Sequence, residues 1–543
     1  MEQAPRQTSD QDGRQTALAL DQRLFDQAAS LLQQGQLLQA QAMYAELLRR
    51  HPAHFDCLQR LGWIAAQSKD YAVAVDYGCR AIEAKPQSAL AYLDVGSAMF
   101  GLGQYQASLE CLDFAISLDP KCAQAYNNRG LALKALKQPQ AAEASFQKAI
   151  ALDPSQAQAW LNLGTLERQL DRHEEALASY DQAIVLQPGY AQAFFNRGNV
   201  LQDLGRLDEA IAHFDHALVL EPSMADVHWN KAVCLLLGGH YAAGWPLYEW
   251  RWVNHQSTAA SPADSLPVWD GSQSLAGKTL LVQSEQGLGD TIQFCRYIPL
   301  LAAQGANVVF EVDPPLATLM QTVEGVGATV LKGAPKDAAT AAADYRVLLM
   351  SLPLHFGTTP YTIPSPEKYL AVPSAQLHRW SERLGPWRNK RIGLVWRGSP
   401  NHQNDDKRSI PVQTLLAALP SGFDYVSLQF KPSAQEQHML AAHSVLVVAD
   451  NLNDFADTAA LCAQLDLVIS VDTSLAHLSG ALGLPCWVLV AHSPDWRWLL
   501  GRKECVWYRN TRIYRQPQAG RWDSVLQEVA HDLRLPSAFA ATA

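Results

Sequence analysis

The first half of the chain carries a hydrophobic pattern that repeats every 34 residues. Small residues let two antiparallel helices pack closely, and aromatic residues fill the space to the next pair. Proline ends the second helix because it has no N–H and clashes with the preceding turn. The pattern therefore predicts stacked helix pairs. Its markers are Pro52, Pro86, Pro120, Pro154, Pro188 and Pro222, each followed ten residues later by Gly62, Gly96, Gly130, Gly164, Gly198 and Ala232.

This pattern resembles the tetratricopeptide repeat. The resemblance implies an α solenoid of about seven repeats over residues 17–253, with a concave groove. Six units keep the pattern well, and the seventh, from residue 225 to about residue 253, is degenerate.

A polar position recurs two residues before each small residue of five repeats. Asparagine is a poor helix former and does not fill gaps in a core. The series is similar to the asparagine ladder of the eukaryotic O-linked N-acetylglucosamine transferase, which implies a groove that binds an extended peptide. The alternative is that these amides are common in such repeats and solvated. The predicted peptide-binding residues are Asp94, Asn128, Asn162, Asn196 and Asn230.

After the repeats the pattern changes. Residues 254–277 are rich in Ser, Ala, Pro, Asp and Gly and predict a linker. Short apolar runs separated by helical stretches then predict an α/β fold of two Rossmann-like halves, residues 278–375 and 388–535. The predicted strands are 279–284, 307–312, 328–332, 346–352, 391–396, 425–430, 445–449, 467–471 and 485–490.

Ligands of such sheets bind at the carboxyl ends of the strands. After the first strand, Gly287 and Gly289 permit a tight turn into a helix that begins near Asp290. A third glycine is missing, so a dinucleotide site is not supported. Asp290 is either a helix N-cap or a general base for an acceptor hydroxyl.

A second strand end carries an aspartate, two hydroxyls and then a helix. Free N–H groups and the helix dipole favour an anion there, such as a diphosphate. The segment is Asp472, Thr473, Ser474, Leu475, Ala476 and His477. A third loop, after the strand at 391–396, ends in the cations Lys407 and Arg408, which suggest phosphate binding. Asp405 and Asp406 in that loop are interpreted as solvated, and no metal site is expected.

Together these elements resemble the family of ADP-heptose:lipopolysaccharide heptosyltransferases over residues 278–535. The resemblance implies a GT-B fold, with Asp290 beside Gly287 and Gly289 as the base and residues 472–477 on the donor phosphates. It also implies a phosphate contact from Arg408, with Lys407 as a second candidate, and a ribose contact from Glu436. Ser474 stands where the family has glycine, and the family lacks the repeats.

The amino-acid composition excludes some classes of function. The chain has 543 residues with 43 Lys and Arg against 53 Asp and Glu, a net charge of −10 that argues against a nucleic-acid partner. No apolar run reaches the length of about 18–20 residues that a membrane span needs. The polar N-terminus and nine dispersed cysteines favour the cytoplasm.

The sequence thus predicts a metal-independent, inverting glycosyltransferase. It would use a nucleotide-sugar as its donor substrate, with no cofactor, and modify a hydroxyl of a protein held by the repeats, such as flagellin or another surface protein. Three alternatives stay open: an enzyme for a polysaccharide or lipid-linked acceptor, an inactive scaffold, and a regulator that binds a nucleotide or sugar phosphate.

Overall fold

The computed structural model describes residues 7–254, 266–334, 342–400, 405–535 and 539. The chain forms two compact units, Met1–Val200 and Leu201–Ala543, which are described in turn. The border lies within a repeat helix, more than fifty residues before the end of the solenoid predicted from the sequence.

Unit one consists of paired helices. Small residues bring the members of a pair together: a Cβ placed on Gly130 would lie only 2.5 Å from Cε1 of Phe146. Its helices are α1 (Gln7–Gln33), α2 (Leu37–Arg50), α3 (Phe55–Gln67), α4 (Tyr71–Ala84), α5 (Ala89–Gly101), α6 (Tyr105–Leu118), α7 (Ala123–Ala135), α8 (Pro139–Leu152), α9 (Ala157–Gln169), α10 (His173–Leu186) and the first part of α11 (Ala191–Asp203).

Unit two begins with the rest of the repeats. The second helix of the last repeat is short and contains Pro246, which explains its weak match to the 34-residue pattern. The helices are α12 (Leu207–Leu220), α13 (Ala225–Leu237), α14 (Tyr241–Tyr248) and α15 (Arg251–Asn254).

Two parallel sheets follow. The first has the order β3-β2-β1-β4 and the second β10-β9-β8-β5-β6-β7. Every pairing between these strands is parallel. The strands are β1 (Thr279–Gln283), β2 (Asn307–Val312), β3 (Val326–Leu331), β4 (Tyr345–Leu348), β5 (Arg391–Val395), β6 (Asp424–Ser427), β7 (Leu446–Val447), β8 (Leu467–Val471), β9 (Cys486–Val490) and β10 (Thr511–Arg515).

Helices lie between these strands. They are α16 (Leu288–Phe294), α17 (Ile298–Ala303), α18 (Ala317–Met320), α19 (Leu352–His355), α20 (Ser374–Leu384), α21 (Asp405–Arg408), α22 (Val412–Ala418), α23 (Ala434–Ala442), α24 (Phe455–Cys462), α25 (Ser474–Ala481) and α26 (Asp523–Leu533). The α/β class is therefore as expected from the sequence.

The strand prediction needs correction at three points. The run at 425–430 is a strand only as far as Ser427, where β6 ends. The run at 346–352 is a strand only as far as Leu348, because a 3₁₀ turn and then α19, with Pro353 in its first turn, follow. Strand β10 was not predicted. It is an edge strand in which Arg512 and Arg515 are half-buried beside buried apolar residues, so it lacks a continuous apolar run.

The predicted linker at 254–277 is also corrected in part. Residues 255–265 lie outside the described residues, but the stretch that follows is packed. Trp269 and Leu275 are buried, and the Trp269 N–H donates to the carbonyl of Arg346 at 2.8 Å. This stretch belongs to the first α/β half, because its apolar side chains join that core.

One hydrophobic core runs from the last repeat into both sheets. Trp496, which follows β9, packs edge-on against Trp245 and Tyr248 of α14, at 5.4 and 5.9 Å between ring centroids. Tyr241 stacks on Trp507 at 6.0 Å. The end of the repeats is thus a structural part of the α/β unit, which explains why the border between units lies so early.

Candidate functional site

The loop after β1 presents Asp290 at the start of α16. Gly287 is the N-cap, and its N–H donates to Oδ2 of Asp290 at 2.8 Å. Oδ1 of Asp290 accepts a hydrogen bond from Nη2 of Arg497. Burial raises the pKa of Asp290 above its ordinary value, while Arg497 and the Gly287 N–H act in the opposite direction. Asp290 is therefore not the N-cap that the sequence left open but the third residue of the helix, where its carboxylate holds the N-cap N–H, and it also lies in a charged cluster.

The same loop is tied to the last repeat by a buried ion pair. Nε and Nη2 of Arg251 donate to the two carboxylate oxygens of Glu285 at 2.8 and 2.9 Å. Arg251 is 1% exposed and also donates to Ser351, while the Met350 N–H donates to Glu285. Two paired oxygens facing a planar guanidinium give this contact a fixed geometry. The loop that carries Asp290 therefore has a rigid support.

The loop after β8 leads into α25. Thr473 is its N-cap, and its hydroxyl accepts a hydrogen bond from the Leu475 N–H at 3.3 Å. The hydroxyls of Ser470 and Thr473 share a hydrogen bond at 3.0 Å. Asp472, Thr473, Ser474 and Leu475 are half-buried, whereas Ala476 is buried. The segment begins a helix, as predicted, and the structure adds that Thr473 caps it.

The structure brings these two loops together. A Cβ placed on Gly289 would lie 3.0 Å from Cδ2 of His477 and 3.4 Å from Cα of Ser474. A larger residue at this position would push the helices apart. The glycine expected to permit a tight turn thus has a second role, the close approach of α16 and α25.

His477 is buried against two aromatic rings. It stacks on Trp498 at 5.4 Å between centroids, and its Nδ1 shares a hydrogen bond with the Tyr508 hydroxyl at 3.0 Å. Burial, together with Arg497 and Arg296, lowers the pKa of His477 well below its ordinary value. His477 is therefore neutral at pH 7 and adds no positive charge to the site.

Arg408 joins the second loop. Its Nη1 donates to the carbonyl of Asp472 at 2.9 Å, and its Nε donates to Asp405 at 3.2 Å. Burial and the neighbouring Asp495 raise the pKa of Asp472, and Arg408 opposes this effect. Lys407 is exposed. Of the two predicted cations, Arg408 is therefore the one built into the strand-end cluster.

Glu436 lies at the start of α23. Its carboxylate accepts hydrogen bonds from Nε1 of Trp396 at 2.8 Å, from Nε of Arg397 at 3.1 Å and from the Ser433 N–H at 2.6 Å. Burial alone would raise the pKa of Glu436, but these hydrogen bonds lower it to about 2. Through Trp396 and Arg397, the Glu436 carboxylate holds the turn after β5 in place.

Sequence reasoning missed the residue that connects the cluster. Arg497 lies in a 3₁₀ turn, Trp496–Trp498, and is 6% exposed. Its partners are Asp290, Asp495 and Gln293. One sequence feature could have revealed Arg497. Its turn follows β9, and every other site segment also follows a strand of these sheets. The neighbouring Trp496, Trp498 and Trp507 are buried.

The amides of the repeat series in unit one form hydrogen bonds between repeats. Nδ2 of Asn128 donates to Ser97 at 2.8 Å, that of Asn162 to Asn127 at 2.9 Å, and that of Asn196 to Thr165 at 3.4 Å. Each asparagine oxygen also accepts from a glutamine one turn earlier, Gln124, Gln158 and Gln192 respectively. These amides therefore connect neighbouring repeats, a role the sequence did not indicate.

Two positions of the series differ. Asp94 accepts from Nε2 of Gln59 at 3.1 Å, and burial raises the pKa of Asp94 to about 6. Asn230 lies on α13, in unit two. The peptide-binding role of the series stays a prediction.

Two absences concern the residues that the structure describes. In these residues no group of three or more His, Cys, Asp or Glu could hold a metal ion. In the same residues no helix is long and apolar enough to cross a membrane.

Comparison with known proteins identifies the repeats. Models described as tetratricopeptide repeat match residues 25–89, 94–156, 130–191 and 191–224. Protein FlbA of Caulobacter vibrioides is 29% identical over 330 residues. The match covers 56% of this chain and 54% of FlbA, so it spans about half the length of that relative.

Three solved structures resemble part of the chain. MamA is 28% identical and covers 31% of this chain and 97% of its own, with a TM-score of 0.27. A tetratricopeptide repeat protein from Parabacteroides merdae is 16% identical, with coverages of 44% and 94% and a TM-score of 0.37. The Cut9–Hcn1 complex of the APC/C is 18% identical, with coverages of 40% and 43% and a TM-score of 0.38. These scores say nothing about function; what the comparisons establish is that the chain carries tetratricopeptide repeats.

Proposed function

We propose that the protein is a glycosyltransferase that moves a sugar from a nucleotide-sugar to a hydroxyl of a protein acceptor, such as flagellin or another surface protein. The two α/β halves would act as a GT-B pair, and the repeats would hold the acceptor. The observation that supports this most is the meeting of the Asp290 loop with the Asp472–His477 segment, through Gly289. These are the two segments on which the heptosyltransferase resemblance rests.

In the proposed reaction Asp290 acts as the general base. The acceptor oxygen attacks the anomeric carbon, its proton passes to Asp290, and the bond from that carbon to the diphosphate breaks with inversion. A base works best when its pKa lies near the working pH. Burial moves the pKa of Asp290 in that direction.

The nucleoside diphosphate leaves with negative charge. Arg408 beside Asp472 and the start of α25 are positioned to stabilise that charge without a metal. His477 would contribute a hydrogen bond only, because it is neutral. Glu436 takes part only through Arg397 and Trp396, which it holds at the end of β5.

The repeats would supply the acceptor site. Their amide series is uncharged and offers both donors and acceptors, which suits an extended peptide backbone. The hydrogen bonds between repeats would hold those amides in a fixed spacing.

A ligand screen tests the donor site first. Thermal unfolding of the full chain is measured with ADP-, UDP-, GDP- and CMP-linked sugars. A true donor at one hundred times its Kd should stabilise the protein by about 2.7 kcal/mol. A rise in melting temperature with one nucleotide class supports the proposal, and no rise with any class favours the inactive scaffold.

Transfer assays then test the base. Asp290→Asn should lower transfer by about 10²–10⁴-fold while keeping the donor-induced thermal shift. Asp313→Asn is the matched control, because Asp313 directly follows the neighbouring strand β2. If Asp290→Asn retains full transfer, Asp290 is not the base. If the donor binds but neither wild type nor variants transfer sugar, the binding-regulator alternative is favoured.

The acceptor site is tested on the amides. The triple change of Asn128, Asn162 and Asn196 to alanine should weaken acceptor binding. Its control is Gln106→Ala with Gln147→Ala, because these amides pair with Glu110 and Glu143 within second helices. Unchanged acceptor binding in the triple variant would remove the groove from the proposal and favour a polysaccharide or lipid-linked acceptor.

A further inference from the structure

Arg497 connects the two halves of the site. Its Nε donates to Oε1 of Gln293 at 2.6 Å, and its Nη2 donates to Oδ1 of Asp290. Gln293 and Asp290 lie one turn apart on α16, so a single guanidinium contacts both. Its Nη1 donates to Asp495 at 2.9 Å in its own turn. Three groups on two elements therefore fix its plane.

Aromatic rings also restrain the guanidinium. It lies 4.4 Å from the ring centroid of Trp496 and 5.7 Å from that of Phe294. Trp496 is itself packed against Trp245 and Tyr248 of the last repeat. Arg497 cannot swing away from Asp290 without disturbing this cluster.

We propose that Arg497 is a positioning residue for Asp290, and that Asp495 on the same turn acts against it. Arg497 would fix the direction of the Asp290 carboxylate and favour its charged form, whereas Asp495 would disfavour that form. The catalytic meaning of this pair rests on the proposed function, but the pairing itself does not.

The other groups around Asp290 are accounted for. His477 is kept neutral by burial and by the nearby arginines, which lower its pKa, and burial keeps Tyr248 neutral by raising its pKa. Arg408 donates to the carbonyl of Asp472, and Arg251 is paired with Glu285. Arg497 is the positive group in contact with Asp290, Asp495 shares its guanidinium, and the two have opposite effects on the pKa of Asp290.

Two variants should move the titration of Asp290 in opposite directions. Arg497→Gln removes the positive neighbour and should raise the pKa of Asp290. Asp495→Asn removes the negative neighbour and should lower it, and asparagine can still cap the 3₁₀ turn. Arg497→Lys keeps the charge but not the forked geometry, so the titration should stay near that of wild type while kcat falls.

The first readout is the pH dependence of kcat/KM. Its acidic limb should move to higher pH in Arg497→Gln, to lower pH in Asp495→Asn, and stay in place in Arg497→Lys. A role that is only structural would lower activity or stability in all three variants without these opposite shifts.

The second readout needs no activity. The melting temperature of each full-length protein is compared with that of the same protein carrying Asp290→Asn, from pH 4 to 8. A carboxyl whose pKa is raised by folding stabilises at low pH, and this contribution is lost as the pH rises through the folded-state pKa. The stabilising contribution of Asp290 should disappear at a higher pH in Arg497→Gln and at a lower pH in Asp495→Asn than in the wild type.

The two readouts separate the proposals. Opposite shifts in melting behaviour without any sugar transfer would support the positioning of Asp290 and reject the glycosyltransferase. Shifts in the same direction, or none, would overturn the positioning role even if transfer is found. If Arg497→Gln does not fold, the downward shift in Asp495→Asn and the unchanged titration in Arg497→Lys still decide.

Discussion

The two units hold their neighbouring elements together by different chemistry. In unit one, repeats are joined by neutral amides, such as Asn162 donating to Asn127 at 2.9 Å, by small residues that leave room for a ring, and by part-exposed ion pairs such as Arg129 with Asp113. In unit two, the last repeat is joined to the α/β halves by aromatic packing and by the buried ion pair of Arg251 with Glu285. The contacts of unit one recur along the stack, so the loss of one is shared, whereas a buried charge is costly to leave without its partner. We therefore expect substitutions of buried residues to lower the free energy of unfolding more in unit two than in unit one.

The largest effect is expected at the buried ion pair. Arg251→Met leaves the buried Glu285 without its partner and should lower the free energy of unfolding by about 3–5 kcal/mol. The measurement is denaturant unfolding followed by tryptophan fluorescence, because all tryptophans except Trp63 and Trp160 lie in unit two.

Its control is an exposed ion pair of the same unit. Lys503→Met removes the ion pair between Lys503, which is 63% exposed, and Glu528, which is 40% exposed. It should change the free energy of unfolding by less than about 1 kcal/mol. Adding Glu285→Gln to Arg251→Met should recover part of the loss. A loss below 1 kcal/mol in Arg251→Met would mean that the two units do not differ in the way described.

The next effect concerns the small residues of unit one. Gly130→Ala would place a methyl group 2.5 Å from Cε1 of the fully buried Phe146. Such overpacking should destabilise by about 1–3 kcal/mol, measured by thermal unfolding followed by circular dichroism. Gly189→Ala is the matched control, because a Cβ there meets nothing within 4 Å. Equal losses in both variants would show that glycine is needed at position 130 for its backbone rather than for packing.

The smallest expected effect is an increase in stability, at Asp94. Asp94 occupies a position where four later repeats have asparagine, and burial raises its pKa to about 6. Its carboxyl stabilises the fold below pH 4, and that contribution is lost as the pH rises through about 6. Asp94→Asn avoids the loss and can still accept from Gln59.

We therefore expect Asp94→Asn to stabilise the chain by about 1–2 kcal/mol at pH 7.5 and by little at pH 4.5, as measured by thermal unfolding at both pH values. A gain of equal size at both pH values would assign the effect to packing instead.

Much of the fold could be read from the residues. The 34-residue spacing predicts the helix pairs, because proline and the small residues act locally or between consecutive helices. Seven of the nine predicted strands start and end within two residues of the observed ones. The two exceptions are β4, which ends four residues early because a 3₁₀ turn and then Pro353 follow, and β6, which ends at Ser427 instead of residue 430. Strand β10 was not predicted, because an edge strand needs only one buried face and its sequence therefore lacks a continuous apolar run.

The candidate site was predicted in its parts but not in its connections. The sequence alone determined the helix starts after β1 and β8 and the charged loop at Arg408, because each depends on neighbours within a few residues. Only the tertiary structure decided that Gly289 meets His477, that Arg497 contacts Asp290 and that Arg251 supports the loop from the last repeat. The partners Arg497 and Asp290 are 207 residues apart, and no local pattern records which side chains such a distance brings together. That choice is made by the packing of one continuous core, in which aromatic side chains from distant segments exclude water, so that a buried charge such as Arg497 must find its carboxylate partners, Asp290 and Asp495, within the fold.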